Sequence, residues 1–122
     1  MLQWDRYPDF TEKEMACSHC GKTGVTHSLM KDLQALRSRI DRPLTVTSGY
    51  RCPEHPIEAK KARPGAHGQG TAVDLRAVTG SEKYELMKLA FQMGFAGIAT
   101  AQTFIHLDVG HSTANRPASW SY

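Results

Sequence analysis

Two segments of the chain alternate apolar and polar side chains with the period of a β-strand, and each carries a metal-competent residue in the middle of its polar side. In 71–77, Val73 and Leu75 fall on one face, and Ala72, Asp74 and Arg76 on the other. In 103–109, Ile105, Leu107 and Val109 fall on one face, and Phe104, His106 and Asp108 on the other. Successive strand side chains point to opposite faces. A sheet holding both strands therefore turns two apolar faces toward helices and presents Asp74 and His106 together on the opposite surface.

The helices that could cover such a sheet are legible. Thr11-Glu12-Lys13-Glu14 has the Thr-x-x-Glu form of a capping box and predicts a short helix. Gly21 and Gly24 then break the chain. From Thr26, Leu29, Leu33, Leu36 and Ile40 recur at helical spacing, which predicts an amphipathic helix ending near Asp41, before Pro43. Thr79-Gly80-Ser81-Glu82 is a second capping box, opening a helix to about Met93 with Gly94 as its stop. Residues 44–47 read as a buried strand that ends in Ser48-Gly49-Tyr50-Arg51. Residues 52–70 hold three Pro and three Gly and read as an irregular loop. Two short strands are expected near 95–100 and 103–109, followed by an irregular tail.

His67 lies at the end of that loop, in Ala66-His67-Gly68-Gln69-Gly70-Thr71-Ala72-Val73-Asp74, and His106 lies in Phe104-Ile105-His106-Leu107-Asp108-Val109-Gly110. Two imidazoles and one carboxylate form the ligand set of a catalytic zinc, which leaves the fourth position to water. Such a zinc lowers the pKa of its water to about 7 and polarises a carbonyl. Peptide hydrolysis also needs a base for the water and a cation for the oxyanion or the substrate carboxylate. Asp108 is the candidate for the base or for a partner of a ligand histidine. A plain structural role fits it equally well. Arg51 offers a planar, permanently charged fork for a carboxylate or carbonyl oxygen, against the plainer reading of a surface salt bridge. Taken singly, His67, Asp74 and His106 each read as structural; together, in two compact motifs, they point to a metal.

At 122 residues the chain reads as a single domain over 1–122, large enough to bury one core without disulfides. A net charge of +3 suits an anionic polymer such as cell wall or nucleic acid, but only weakly. Arg37, Arg39, Arg42 and the run Lys60-Lys61-Ala62-Arg63 read as solvated surface. No stretch of about 18 apolar residues suggests a membrane span. The polar residues Asp5, Arg6, Asp9, Glu12, Lys13 and Glu14 argue against a signal peptide in 1–25. The expectation is a chain made in the cytoplasm and not inserted in a membrane. Trp4, Phe10 and Trp120 read as core or edge packing; His27 follows a helix cap, and His111 sits in a polar tail near the site.

Three cysteines cannot all pair within one chain. Cys17-Ser18-His19-Cys20 and Cys52-Pro53-Glu54-His55 have the Cys-x-x-Cys and Cys-x-x-His spacing of a structural Cys3His zinc site, which would staple the N-terminal segment to the loop carrying Arg51. The alternative is three free thiols with His55 on the surface. The balance tips slightly to that alternative, because a helix and a strand separate the two pairs.

Three motifs in order, Ser48-Gly49-Tyr50-Arg51, His67-x-x-Gly70-x-Ala72-x-Asp74 and Phe104-Ile105-His106-Leu107-Asp108-Val109-Gly110, resemble the zinc D-Ala-D-Ala carboxypeptidase and L-alanyl-D-glutamate endopeptidase family. That family includes phage endolysins and shares its fold with the hedgehog signalling domain. The resemblance spans roughly residues 9–122, and Arg116-Pro117-Ala118-Ser119-Trp120 looks like the tail of the phage-type members. It implies an α+β fold with a central, mainly antiparallel sheet and helices packed on one face. It implies zinc on His67, Asp74 and His106, Arg51 on the substrate's carboxylate or carbonyl, and the peptide stem of peptidoglycan as substrate. The chain departs from the family pattern at Gly65, where a Ser is usual, at Pro56, where Asn is frequent, and at Gly97-Ile98-Ala99, where Gly-Ile-Gly is usual. The Tyr often found just after that tripeptide is missing, and Thr103 stands where many members carry a carboxylate. These departures touch the substrate rim and the base, not the ligands.

The expectation is therefore a monomeric zinc peptidase acting on peptidoglycan stem peptides, with no nucleic-acid partner, reaching the wall after holin release or as a virion component. The competing expectation is a catalytically impaired, zinc-stabilised wall-binding or virion structural module. Which stem-peptide bond is cut stays open between the D-Ala-D-Ala and L-Ala-D-Glu types.

Overall fold

A computed structural model describes residues 2–62, 65–110 and 115–122. The three α-helices among the described residues are α1 (Glu12–Met15), α2 (His27–Ile40) and α3 (Gly80–Met93). All three start where a threonine can cap them. Thr11 and Thr79 each accept from the amide three residues on, and Glu14 and Glu82 return the bond to the threonine amide. Thr26 caps α2 by accepting from the Leu29 amide. α2 buries Leu29, Met30, Leu33, Leu36 and Ile40 along one stripe. Each fully buried leucine there contributes about 1.5–3 kcal/mol relative to exposure. His27 opens α2 and its Nδ1 is hydrogen-bonded to the Tyr7 hydroxyl.

The strands are β1 (Val46–Ser48), β2 (Ala72–Arg76), β3 (Gly97–Thr100), β4 (Phe104–Asp108) and β5 (Ala118–Ser121). They form one sheet in the order β1-β2-β4-β3-β5, antiparallel except for the parallel β3–β5 pair. This is the α+β architecture expected. β1 and β3 each start two residues later than their sequence pattern suggests, and the loop after β1 contains one 3-10 turn at Glu58–Lys60. The tail is not irregular as expected. β5 docks on the free edge of β3, with the Ala118 amide donating to Ala96 O at 2.9 Å and the Tyr122 amide to Thr100 O at 3.0 Å. Its side chains alternate between half-buried and exposed, with no buried apolar face to mark a strand, so the pairing comes from a tertiary edge and not from local pattern.

Val73, Leu75, Ile98, Ile105, Leu107 and Val109 share a continuous core with Leu29, Leu33, Leu36, Leu86 and Ala90 of the helices. Phe10 is part of that core and Trp4 packs against it. Arg42 pairs with Glu85 on the surface, whereas the exposed Lys61 reaches the buried carboxylate of Glu58; Arg63 lies outside the described residues. No helix among the described residues is long and apolar enough to cross a membrane.

Candidate metal centre

The register of the sheet assembles the site. Asp74 on β2 pairs with His106 on β4, which pairs with Ala99 on β3, which pairs with Trp120 on β5. These residues form one row across the face opposite the core. Ala99 is small enough for the Trp120 ring to reach His106, with ring centroids 5.3 Å apart. The next row places Asp108 beside Gly97. A Cβ at Gly97 would lie 2.2 Å from Asp108 Oδ2, so only glycine leaves room for that carboxylate.

His67 arrives from the loop. Gly70, at φ +76°, turns the chain into β2 and approaches Gly24 so closely that a Cβ would meet its carbonyl oxygen at 1.9 Å. The Thr26 amide donates to Gly70 O at 2.9 Å, which fixes the turn to the cap of α2. The Arg51 amide donates to His67 O at 3.3 Å, tying the loop to the chain leaving β1. His67, Asp74 and His106 are all buried, and their donor atoms lie within 4.8 Å of one another.

The outer nitrogens of both rings are spoken for. His67 Nδ1–H donates to the Gly49 carbonyl at 2.8 Å, and His106 Nε2–H donates to Asp108 Oδ2 at 2.7 Å. Asp108 has no exposed surface and also accepts from Arg116 Nε and Nη2, at 3.1 Å and 2.9 Å. It is an ionised acceptor, its carboxyl group held low because the His106 and Arg116 bonds outweigh the upward push of burial. In the neutral tautomers these bonds select, His67 Nε2 and His106 Nδ1 carry lone pairs. Each faces the same oxygen, Asp74 Oδ1, at 3.1 Å. Three lone pairs thus converge in a buried space, an arrangement that needs protons or a cation between them. The donor set and the fixed outer nitrogens both fit zinc.

Without metal, protons take that role. Burial raises the Asp74 carboxyl, but hydrogen bonds from His106 and His67 prevail and hold it down to about 2. Burial likewise lowers His106, and its bonds to Asp108 and Asp74 reverse this and raise it.

Arg51 lies beside the centre, not on open surface. Its Nη2 is 3.6 Å from Asp74 Oδ2 and its Nη1 3.9 Å from Glu58 Oε2. Its buried Nε has no hydrogen-bond partner among the described residues. Arg51 and Gly49 also line a cleft of about 750 Å³ that runs along the outer side of β1 to Glu12 and Glu14 of α1. The three donor residues do not line this cleft; Gly49 and Arg51 of its wall reach the His67 ring and the Asp74 carboxylate.

The structure thus brings together all five residues singled out from sequence, while His111 lies outside the described residues. The roles of Gly49 O, Gly97 and Arg116 were not foreseen. The first is a backbone atom, the second an absence of side chain, and the third shows only in the tail motif. Trp120 is edge packing as expected, with its ring also beneath the Arg116 guanidinium at 4.5 Å. The three cysteine thiols also meet, as a second group; His55 is not part of that group, and its Nε2 lies 3.5 Å from the Ser18 hydroxyl in the turn between Cys17 and Cys20.

Comparison with protein families gives a match over residues 8–108 to the family described as Peptidase M15. No curated protein matches the chain. The match covers most of the 122 residues, and the chain belongs to the peptidase M15 family, the zinc D-Ala-D-Ala carboxypeptidase type.

Proposed function

We propose that this M15 peptidase is a zinc enzyme that hydrolyses peptide bonds in the stem peptides of peptidoglycan, with His67, Asp74 and His106 holding the metal. The observation that carries the ligand assignment is the convergence of the two inward ring nitrogens on Asp74 Oδ1, with both outer nitrogens already engaged. Bound zinc supplies a Lewis acid and a water acidified to about pKa 7.

The chain's own residues do the rest. Gly49 O and Asp108 hold the two imidazoles in the tautomers that leave the inward nitrogens free. Asp108 is read as this positioning partner and not as the base, because both its oxygens are already bonded. Arg51, with a buried donor to spare and a place on the cleft wall, binds a substrate carboxylate or carbonyl. Stem peptides carry such carboxylates, and the net charge of +3 suits an anionic wall. Both the D-Ala-D-Ala and the L-Ala-D-Glu bond are compatible with this chemistry. Delivery after holin release or within a virion rests on the resemblance of the 116–120 tail to phage-type members.

One observation favours a second reading, a zinc-stabilised wall-binding or virion module. Thr103, exposed three residues before His106, stands where many relatives carry a carboxylate, and Asp108 is engaged elsewhere. Incubating the protein with peptidoglycan, with and without a chelator, and reading released termini by mass spectrometry separates the two. Chelator-sensitive new termini support the peptidase and identify the bond. Retention on insoluble wall with no new termini supports the binding module.

A further inference from the structure

We infer that Cys17, Cys20, Cys52 and His55 form a second, structural zinc site that staples the segment after α1 to the chain leaving β1. The three sulfurs lie within 4.8 Å of one another although 35 residues separate Cys17 from Cys52. Cys17 and Cys52 are buried and Cys20 is exposed, and none is in a disulfide.

Two tight turns face each other there, and their backbone is arranged around sulfur. In the first turn the His19 amide donates to Cys17 Sγ at 3.4 Å, and the Gly21 amide closes the turn on Cys17 O at 2.8 Å. The Cys52 amide reaches across from the second turn to the same sulfur at 3.3 Å. The second turn closes in a similar way, with the His55 amide donating to Cys52 O at 3.0 Å. Amides converging on sulfur stabilise thiolates, the form that binds metal. Three sulfurs this close can share one cation as ligands.

His55 occupies in the second turn the place Cys20 has in the first. Its Nε2 lies 3.5 Å from the hydroxyl of Ser18, inside the first turn, and its ring is 6.5 Å from that of His19. Its Nδ1 now accepts from the Ile57 amide at 3.1 Å. Either ring nitrogen can ligate once that one exposed bond is released, because ligation at Nε2 requires a proton on Nδ1. Cys3His is a standard closed set for structural zinc. Its consequence is local order at the catalytic side: the Tyr50 amide donates to Met15 O at 3.0 Å, and the staple would fix Gly49 and Arg51 on the cleft wall.

The test is metal content and cobalt spectroscopy on the whole chain, purified under reducing conditions. Wild type should hold two metals, and its cobalt form should show thiolate-to-cobalt charge-transfer absorption. Cys20→Ser alters only an exposed thiol; it should hold one metal and lose most of that absorption. His55→Ala should yield the metal to a chelator that wild type withstands. His67→Ala should also fall to one metal yet keep the thiolate absorption, so failure of the peptidase reading is seen separately. Should Cys20→Ser not fold, alkylation of wild type gives the same answer: zinc should protect all three thiols. Wild type with one metal and no thiolate absorption, thiols alkylated equally with and without zinc, or a Cys20→Ser variant that retains both metals would overturn the inference.

Discussion

Gly97→Ala is a single-methyl test of how the centre is built. Gly97 on β3 pairs with Asp108 on β4, and an added Cβ would sit 2.2 Å from Oδ2, 2.4 Å from Cγ and 2.5 Å from Oδ1. The carboxylate cannot yield freely, because His106 and Arg116 both hold it and it is fully buried. Overpacking of this kind costs about 1–3 kcal/mol. For a chain of this size that corresponds to a fall of roughly 3–15 °C in melting temperature. Displacing the partner of a ligand histidine should also weaken zinc binding by about 10–100-fold. Gly80→Ala is the control: nothing lies within 4 Å of its Cβ, and at the start of α3 it should be neutral or stabilising by up to about 1 kcal/mol. Thermal melts with and without zinc, together with competitive zinc titration, read both quantities. Wild-type melting and zinc affinity in Gly97→Ala would refute the role given to Asp108.

The metal-free and zinc-bound proteins should respond oppositely to pH. His106 is raised on folding, so its contribution is complete below its unfolded value of about 6.5 and is lost as pH rises through the folded value. Asp74, held down to about 2, contributes above about 3.8 and loses its contribution as pH falls toward 2. Zinc needs neutral imidazoles and should stabilise more as pH rises through the same range. Melting temperatures across about pH 5–8 should therefore fall without zinc and rise with it; parallel slopes would contradict the lone-pair arrangement. Trp120→Ala removes the ring beside His106 and the face beneath Arg116, and should cost about 1–3 kcal/mol by chemical denaturation. Arg51→Lys should raise KM for stem peptides by about 10–100-fold with zinc content unchanged, since one ammonium cannot replace a planar fork.

The parts of the fold that local rules govern were legible in the chain. Thr11, Thr26 and Thr79 announce three helices, and the alternation around Asp74 and His106 gives two strands and the face they share. That face, with His67 carried in by a glycine turn, is the core of the candidate site. What was hidden depends on tertiary partners. β5 has no buried stripe and exists because β3 offers an edge. The sequence around Asp108 suits a base and a positioning partner alike, and only the folded chain brings Arg116 and His106 onto its oxygens. His67 Nδ1 is fixed by Gly49 O, and a backbone carbonyl leaves no mark in composition or motif. The cysteine pairs had a clear spacing, but their meeting depends on the path of the chain between them.

The central claim is best tested by measuring peptide release from peptidoglycan as a function of metal bound at the histidine site. Stripped wild-type protein should be inactive and should regain cleavage in proportion to zinc restored, while Asp74→Ala, folded by circular dichroism, should not regain it at any zinc concentration. Cleavage by the stripped protein, or by Asp74→Ala at the wild-type rate, would contradict a mechanism built on His67, Asp74 and His106.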